Sequence, residues 1–350
     1  MSKAKVRRVA AIDGSGQFIL IEEEVPSPRP GQVLVRHEAT LISPGTELGA
    51  VPRMRENPNP EAKPRRFGYS SAGVVEAVGE GCDDMPVGLE VACMGGGYAL
   101  HSDYGVIPRN LMVPKPDDLS FEGAAFAHLA ATAMQAVRRA DVRIGENALI
   151  VGLGIVGQIA VQLARTAGAH VAAMDFLPMR RELAERGGAD LVLDPSEDPV
   201  AAVKEFTRGY GLDCAIIAFG GDATGTVQQI AQMMKLAPDG HRMGRLAIVG
   251  GADFQSKSWP VAVGNMDIRP SSRPGPGYHD EAWEHGRDYP PVFVQWTTRR
   301  QMEETLRLAA EGRLQFEMLI THRLPLDGFA EGAEALVTAP ATALGVILNP

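Results

Sequence analysis

The stretch Ala148-Leu149-Ile150-Val151-Gly152-Leu153-Gly154-Ile155-Val156-Gly157 carries the reading of this chain. Its opening run of apolar residues predicts a buried strand. Ile155 to Ala167 predicts a helix, so a GxGxxG pattern joins the two. In that context each glycine has a task. Gly152 permits the tight turn, Gly154 lets a pyrophosphate approach the backbone, and Gly157 lets helix and strand pack closely. The first helical turn, with Ile155 and Val156, then presents unpaired N–H groups and a positive dipole end to phosphates.

The next strand, Val171 to Met174, ends at Asp175, about 20 residues past the glycines, where a ribose-binding acid belongs. A carboxylate there accepts hydrogen bonds from ribose hydroxyls and repels a 2′-phosphate, which predicts NAD over NADP. Arg180 and Arg181 follow, and two readings stay open for them: partners of a 2′-phosphate, or a solvated helix face. Further out lie a helix from Met179 to Arg186 and strands at Leu191–Leu193, Cys214–Ile217 and Leu246–Val249. Asp267–Arg269 reads as a last edge strand. This βαβ rhythm predicts an α/β domain with a doubly wound parallel sheet. Phe219-Gly220 and Val249-Gly250 follow two of its strands and join the cofactor-binding candidates.

On the N-terminal side, Val33–Val35, Gly73–Val78 and Leu89–Met94 are short apolar runs between Gly and Pro turns, and they predict a compact, mostly antiparallel β domain. Beyond Ser272, residues 273–291 are rich in Pro, Gly, His and Tyr and read as an ordered loop. A helix from Thr298 to Glu311 follows, and a last strand, Leu344–Leu348, is read as returning to the β domain. The expected organisation is 1–129 with 273–350 as a substrate domain and 130–272 as a dinucleotide-binding domain.

Composition bounds the function. A chain of 350 residues with 45% hydrophobic and 22% charged residues is an ordinary globular sequence long enough for two domains. A net charge of -9 opposes binding to nucleic acid or an anionic membrane surface. No apolar run is long enough to span a bilayer. The stretch from Met1 to Lys5 lacks the apolar core of a signal peptide. Cys82, Cys93 and Cys214 are too few and too scattered for a disulfide framework. The expectation is a cytoplasmic protein, a homo-oligomer (dimer or tetramer) acting on a small molecule.

With the glycine motif in place, other landmarks fall into order: Gly45-Thr46-Glu47, Gly68 through Val75, Asp103-Tyr104, Gly123-Ala124-Ala125 and Leu319-Ile320-Thr321-His322-Arg323-Leu324-Pro325. Together they resemble the medium-chain dehydrogenase/reductase superfamily. That resemblance implies a GroES-like β domain split around a Rossmann domain, and hydride transfer with a nicotinamide cofactor. The chain departs from the superfamily's zinc-binding members. Pro44 stands where those carry a Cys ligand, and Gly68-Tyr69-Ser70 where they have Gly-His-Glu. Of the three ligand positions only the last can supply a donor, His128, and three scattered cysteines cannot rebuild the structural zinc lobe. No metal is expected. The later loop, with Gly275-Pro276-Gly277-Tyr278, Trp283-Glu284, Gly286-Arg287-Asp288-Tyr289-Pro290 and Trp296-Thr297, is similar to a zinc-less branch associated with sugars and polyols. Ser43-Pro44-Gly45-Thr46-Glu47 and Gly95-Gly96-Gly97-Tyr98-Ala99 also recur in that branch. The resemblance therefore implies a carbohydrate-like alcohol or ketone as substrate.

Hydride transfer without a metal needs hydrogen-bond donors and acceptors at the substrate oxygen. By their alignment with zinc-ligand positions, Tyr69 and His128 are the candidates, with Thr46 matching a hydroxyl that relays protons in relatives. Each has a plain alternative: Tyr69 filling the space a metal would occupy, His128 a hydrogen-bonded core residue, Thr46 a turn hydroxyl. The loop places Tyr278, His279, Trp283, Arg287 and Tyr289 as stacking faces and donors suited to sugar hydroxyls, or else as an oligomer contact or surface loop. His101 either lines the cleft or caps a strand. His37, His170, His241 and His322 read as structural. Two further functions compete with an NAD-dependent alcohol or sugar dehydrogenase. One is a zinc-free enone or quinone reductase, whose usual preference for NADPH Asp175 opposes. The other is a non-catalytic redox sensor, which has no use for a Tyr- and His-rich loop.

Overall fold

The computed structural model describes residues 5–350; Met1–Ala4, part of the N-terminal stretch read above, lie outside the described residues. The chain divides into two compact units. One runs up to Ala131 and resumes at Pro274–Pro350, and the other is Thr132–Arg273. The first boundary falls inside the helix Ala127–Ala140.

The unit Thr132–Arg273 is built on a six-stranded sheet whose strands all run parallel. Across the sheet the order is Leu191–Leu193, His170–Met174, Asn147–Val151, Cys214–Ile217, Arg245–Val249 and Asp267–Ser271. Numbered along this unit that order is 3-2-1-4-5-6, the doubly wound Rossmann arrangement expected from the βαβ rhythm. Strands covered on both faces must be apolar throughout, and every residue of Asn147–Val151 is buried. Leu149, Val151, Ala172, Met174, Ala215, Ile217 and Leu246 form a core with Val227 and Ile230 of the helix Thr224–Met233. Pro270 lies on the edge strand, where the missing N–H costs no ladder bond. A small parallel pair, Gly221–Asp222 with Ala252–Asp253, extends two of the strand ends. It had no signature in the apolar pattern.

The other unit carries a seven-stranded sheet. Gln32–Ile42 pairs antiparallel with Ser70–Val78, Tyr104–Pro108 and the C-terminal strand Gly345–Asn349. The last strand thus returns to the N-terminal β elements, with Val346 opposite Ile42. Glu90–Met94 extends the sheet beyond Ser70–Val78. A second core joins Ile12, Ile42, Leu48 and Phe67 to Phe329 and Leu336 of the helix Phe329–Thr338, a helix not anticipated from the sequence. The loop after Arg273 is ordered by a short helix, Glu281–Glu284, whose first N–H groups are capped by Asp280. Cys82, Cys93 and Cys214 are buried free thiols. Among the described residues no helix is long and apolar enough to cross a membrane.

Candidate functional site

Two groups of residues were anticipated, one in each unit. In Thr132–Arg273 the glycine turn has the geometry its sequence demands. Gly152 has φ +86°, a left-handed conformation that favours glycine. A Cβ on Gly157 would lie 1.9 Å from the Gly152 carbonyl oxygen, so the helix Ile155–Thr166 seats directly on the strand end. A Cβ on Gly154 would meet nothing within 4 Å. Gly154 is also the N-cap of that helix, and no side chain caps its amides. Open space in front of unpaired N–H groups is what a pyrophosphate requires.

Asp175 is brought to the same turn. Its Oδ2 accepts from the Leu153 backbone N–H at 2.7 Å and its Oδ1 from the Leu177 N–H at 2.9 Å. Of the two arginines behind it, Arg181 donates to the carbonyls of Asp175 and Phe176 and pairs with Asp194 at 2.8 Å. Arg180 lies 3.7 Å from Asp175 Oδ2, and its Nε is buried without a hydrogen-bond partner. Gln158, not anticipated from the sequence, ties this corner together by donating to the carbonyls of Leu153 and Arg180. Phe219-Gly220 and Val249-Gly250 follow the neighbouring strand ends, with Gly250 at φ +85°.

In the other unit, Tyr69 and His128 come together. Their rings stand 4.3 Å apart, centroid to centroid. His128 Nδ1 lies 2.9 Å from the Tyr69 carbonyl oxygen. A carbonyl only accepts, so Nδ1 carries the proton, and in the neutral ring Nε2 is the acceptor. Burial pushes the His128 pKa down to about 4, opposed by that hydrogen bond, so the ring is neutral at pH 7. The Tyr69 phenol is pushed well above its ordinary value, mainly by burial and then by the charge of Glu47, while side-chain hydrogen bonds with Ser43 and Thr46 oppose the shift. It is therefore a protonated donor. Ser43 was not anticipated as a site residue. Its only sign in the sequence is its place in the Ser43-Pro44-Gly45-Thr46-Glu47 phrase.

The loop reaches this cluster through two residues. The Tyr278 ring stands edge-on to His128 at 5.8 Å and stacks on His279 at 3.9 Å. The Tyr278 hydroxyl accepts from the Gly96 backbone N–H at 2.8 Å. His279 is exposed and holds φ +73°, a conformation uncommon for a residue with a Cβ. Its N–H is anchored on the buried Glu284 carboxylate at 2.8 Å.

Three anticipated residues are placed elsewhere. Trp283 is 1% exposed, with its ring against Gly277, where a Cβ would come within 2.5 Å. It is the core of its loop and has no face left for a sugar. Tyr289 stacks on Trp283 and donates its hydroxyl to Asp280 at 2.7 Å, so it braces that core. His101 has no exposed surface, and its ring nitrogens meet Thr40 Oγ1 at 2.8 Å and Glu47 Oε2 at 3.2 Å. It cannot touch a substrate. Arg287 is exposed.

The donor set at these positions does not suit a metal. Pro44 offers no ligand atom, Tyr69 is held protonated, and His128 spends Nδ1 on a carbonyl. Among the described residues no group of three or more His, Cys, Asp or Glu side chains is arranged to hold an ion. A zinc centre, which needs three such ligands and an open position, does not fit these residues.

The family described as zinc-binding dehydrogenase matches residues 156–284. An alcohol dehydrogenase of Rhizobium meliloti (strain 1021) is 33% identical over 230 residues, spanning 57% of this chain and 67% of that protein. An L-threonine 3-dehydrogenase of Thermococcus kodakarensis is 28% identical over 350 residues and 91% of each chain. The crystal structure of 2R,3R-butanediol dehydrogenase from Bacillus subtilis superposes with a TM-score of 0.76 at 22% identity, covering 98% of this chain and 99% of that one. That likeness extends to the whole fold, a GroES-like β domain with a Rossmann domain. On these matches, the chain belongs to the zinc-type medium-chain dehydrogenase/reductase superfamily, from whose ligand pattern its own residues depart.

Proposed function

We propose that the protein is an NAD(H)-dependent, zinc-independent oxidoreductase that interconverts a secondary alcohol and a ketone, with a sugar, polyol or glycoside as substrate. Its relatives are alcohol, threonine and butanediol dehydrogenases, which supports oxidoreductase chemistry on an alcohol-type substrate with a nicotinamide cofactor. The observation that carries the finer reading is Asp175, held by the Leu153 amide inside an open glycine turn. There its carboxylate can accept from ribose hydroxyls and oppose a 2′-phosphate. Arg181 is already committed to two carbonyls and Asp194, which leaves Arg180 as the nearby cation.

In this reading the unit Thr132–Arg273 holds the dinucleotide and the other unit supplies the substrate groups. When bound, the nicotinamide accepts or gives the hydride. The chain must then manage one proton at the substrate oxygen. The protonated Tyr69 hydroxyl donates to that oxygen as negative charge develops during ketone reduction; the phenolate left by that transfer is the form that takes the proton back in the reverse direction. Ser43 and Thr46 flank the phenol. Neutral His128 fixes the Tyr69 peptide through Nδ1. Tyr278, His279 and Arg287 present donors and ring faces for further hydroxyls.

The test is an initial-rate survey with purified protein, pairing NAD+ with polyols and glycosides, and NADH or NADPH with ketoses and enones, with and without a chelator. The expected result is chelator-insensitive, NAD-linked turnover of a polyol or sugar. NADPH-linked reduction of enones with no alcohol oxidation would replace this reading by that of an enone reductase.

A further inference from the structure

Glu47 is an acid with 3% of its surface exposed, and the chemistry above gives it no part. It lies on the π-helical turn Pro44–Leu48. Its Oε2 accepts from the Ser43 backbone N–H at 2.6 Å and lies 3.2 Å from His101 Nε2. His101 is itself fixed: Nδ1 lies 2.8 Å from Thr40 Oγ1, and the ring meets Phe67 edge-on at 5.2 Å. The other carboxylate oxygen of Glu47, Oε1, is buried with no hydrogen-bond partner. A carboxylate kept out of water with an acceptor unsatisfied is disfavoured on stability grounds. Its neighbours supply a reason for keeping it. The same short turn bears Ser43 and Thr46, whose side chains neighbour the Tyr69 hydroxyl. On the other flank, Gly68 abuts the His101 backbone so closely that a Cβ would fall 2.2 Å from the His101 nitrogen. The Glu47–His101 contact therefore links the turn that neighbours the Tyr69 hydroxyl to the segment packed against Gly68, the residue before Tyr69.

Building on the role given to Tyr69 above, we propose that Glu47 is a positioning residue, braced by the Ser43 amide and the His101 ring, that locks the turn setting Ser43 and Thr46 against the Tyr69 hydroxyl and so aims that hydroxyl at the substrate oxygen. The groups that face Tyr69 are Glu47 from this turn, His128 from the helix Ala127–Ala140 and Tyr278 from the later loop. Of these, His128 is neutral at pH 7, and the charge of Glu47 opposes loss of the Tyr69 proton. Glu47 thus acts through Tyr69 in two ways, by geometry and by keeping the phenol a donor.

The experiment follows the 13Cζ resonances of the six tyrosines in the full-length protein, with Tyr69 assigned by Tyr69→Phe. In the wild type, Tyr69 is expected to resist ionisation at high pH. In Glu47→Gln its resonance should move and its ionisation should shift to lower pH, with burial still holding it above the ordinary tyrosine value. The same variant should lose about tenfold in kcat, as when an outer partner that orients a reacting group is removed, with KM and NADH affinity unchanged. Glu47→Asp keeps the charge and shortens the reach; it should keep Tyr69 resistant to ionisation and still lower kcat. An unaltered Tyr69 resonance and titration in Glu47→Gln would overturn the proposal. If that variant does not fold, wild-type kcat in Glu47→Asp would do the same. Wild-type kcat in Tyr69→Phe would instead remove the role given to Tyr69, while control of its titration by Glu47 would still be readable.

Discussion

A Cβ on Gly157 would stand 1.9 Å from the carbonyl oxygen of Gly152, so the first turn of the helix meets the strand end at a separation open only to glycine. Gly154, three residues earlier in the same motif, has an ordinary φ of -67° and empty space where a Cβ would go. One glycine is required by packing and the other by access.

These two positions should therefore respond differently to alanine. Gly157→Ala is expected to destabilise the protein by about 1–3 kcal/mol or more, because backbone must move to admit the methyl. Gly154→Ala is expected to stay within about 0.5 kcal/mol of the wild type and to lose most of its NADH affinity. Thermal unfolding and calorimetric titration separate the two effects. Wild-type NADH affinity in Gly154→Ala would show that the pyrophosphate is seated elsewhere.

Cofactor choice is tested at Asp175. The wild type should bind NADH well and NADPH poorly. Losing a hydrogen bond to a charged group costs about 1.5–3 kcal/mol, so Asp175→Ala should weaken NADH by roughly 10- to 150-fold. It should also narrow the gap to NADPH by removing the repulsion. Equal affinities in the wild type would dispose of the preference.

Zinc independence and the role of Tyr69 can be examined together. Tyr69→Phe removes one hydroxyl and keeps the ring, and loss of a donor at a developing oxyanion typically lowers kcat by about 10²–10³. NADH affinity should be unaffected. His128→Gln should likewise slow turnover with NADH binding retained. Elemental analysis should find no stoichiometric zinc, and one zinc per chain would contradict the reading.

Stability should have an acid limb set partly by His37. Its Nδ1 lies 2.9 Å from the Ser102 carbonyl oxygen and its Nε2 3.1 Å from Ser71 Oγ. Burial, the largest cause, pushes its pKa down to about 4, and the Ser102 hydrogen bond opposes the shift. As pH falls below the ordinary histidine value, the unfolded chain takes up this proton first, so stability is full above about pH 6.5 and falls progressively toward pH 4. The loss is at most about 3 kcal/mol for this residue. His128, with the same direction of shift, adds to it. Urea unfolding at pH 6.5 and pH 5 measures the slope, and His37→Asn should flatten it whatever its overall cost. An unchanged slope would mean that His37 is not titrating in this window.

Most of the parallel sheet was legible because its information is local. Strands buried on both faces must be continuous apolar runs, and the glycines, strand end and helix start of the nucleotide turn are consecutive. Asp175 could be placed for the same reason, since one βαβ unit fixes its distance along the chain. The short pair Gly221–Asp222 with Ala252–Asp253 was not legible, because two residues carry no periodicity.

Residue types alone told that Pro44 cannot bind a metal and that Tyr69, His128 and Thr46 are chemically able to handle a proton. Whether each side chain is available was decided by tertiary packing. Trp283 and His101 offered the same ring chemistry on paper as Tyr278 and His279. The fold enclosed the first two, Trp283 against Gly277 and Tyr289 and His101 between Thr40 and Glu47. It left Tyr278 half-buried and His279 exposed. Glu47 makes the point most sharply. The sequence assigned Glu47 no role beyond its place in the Gly-Thr-Glu phrase, and only contact with His101, 54 positions away, makes it a buried brace. Backbone propensity and motif spacing are written along the chain, whereas burial and side-chain partnership depend on residues distant in sequence that meet only when the chain has folded.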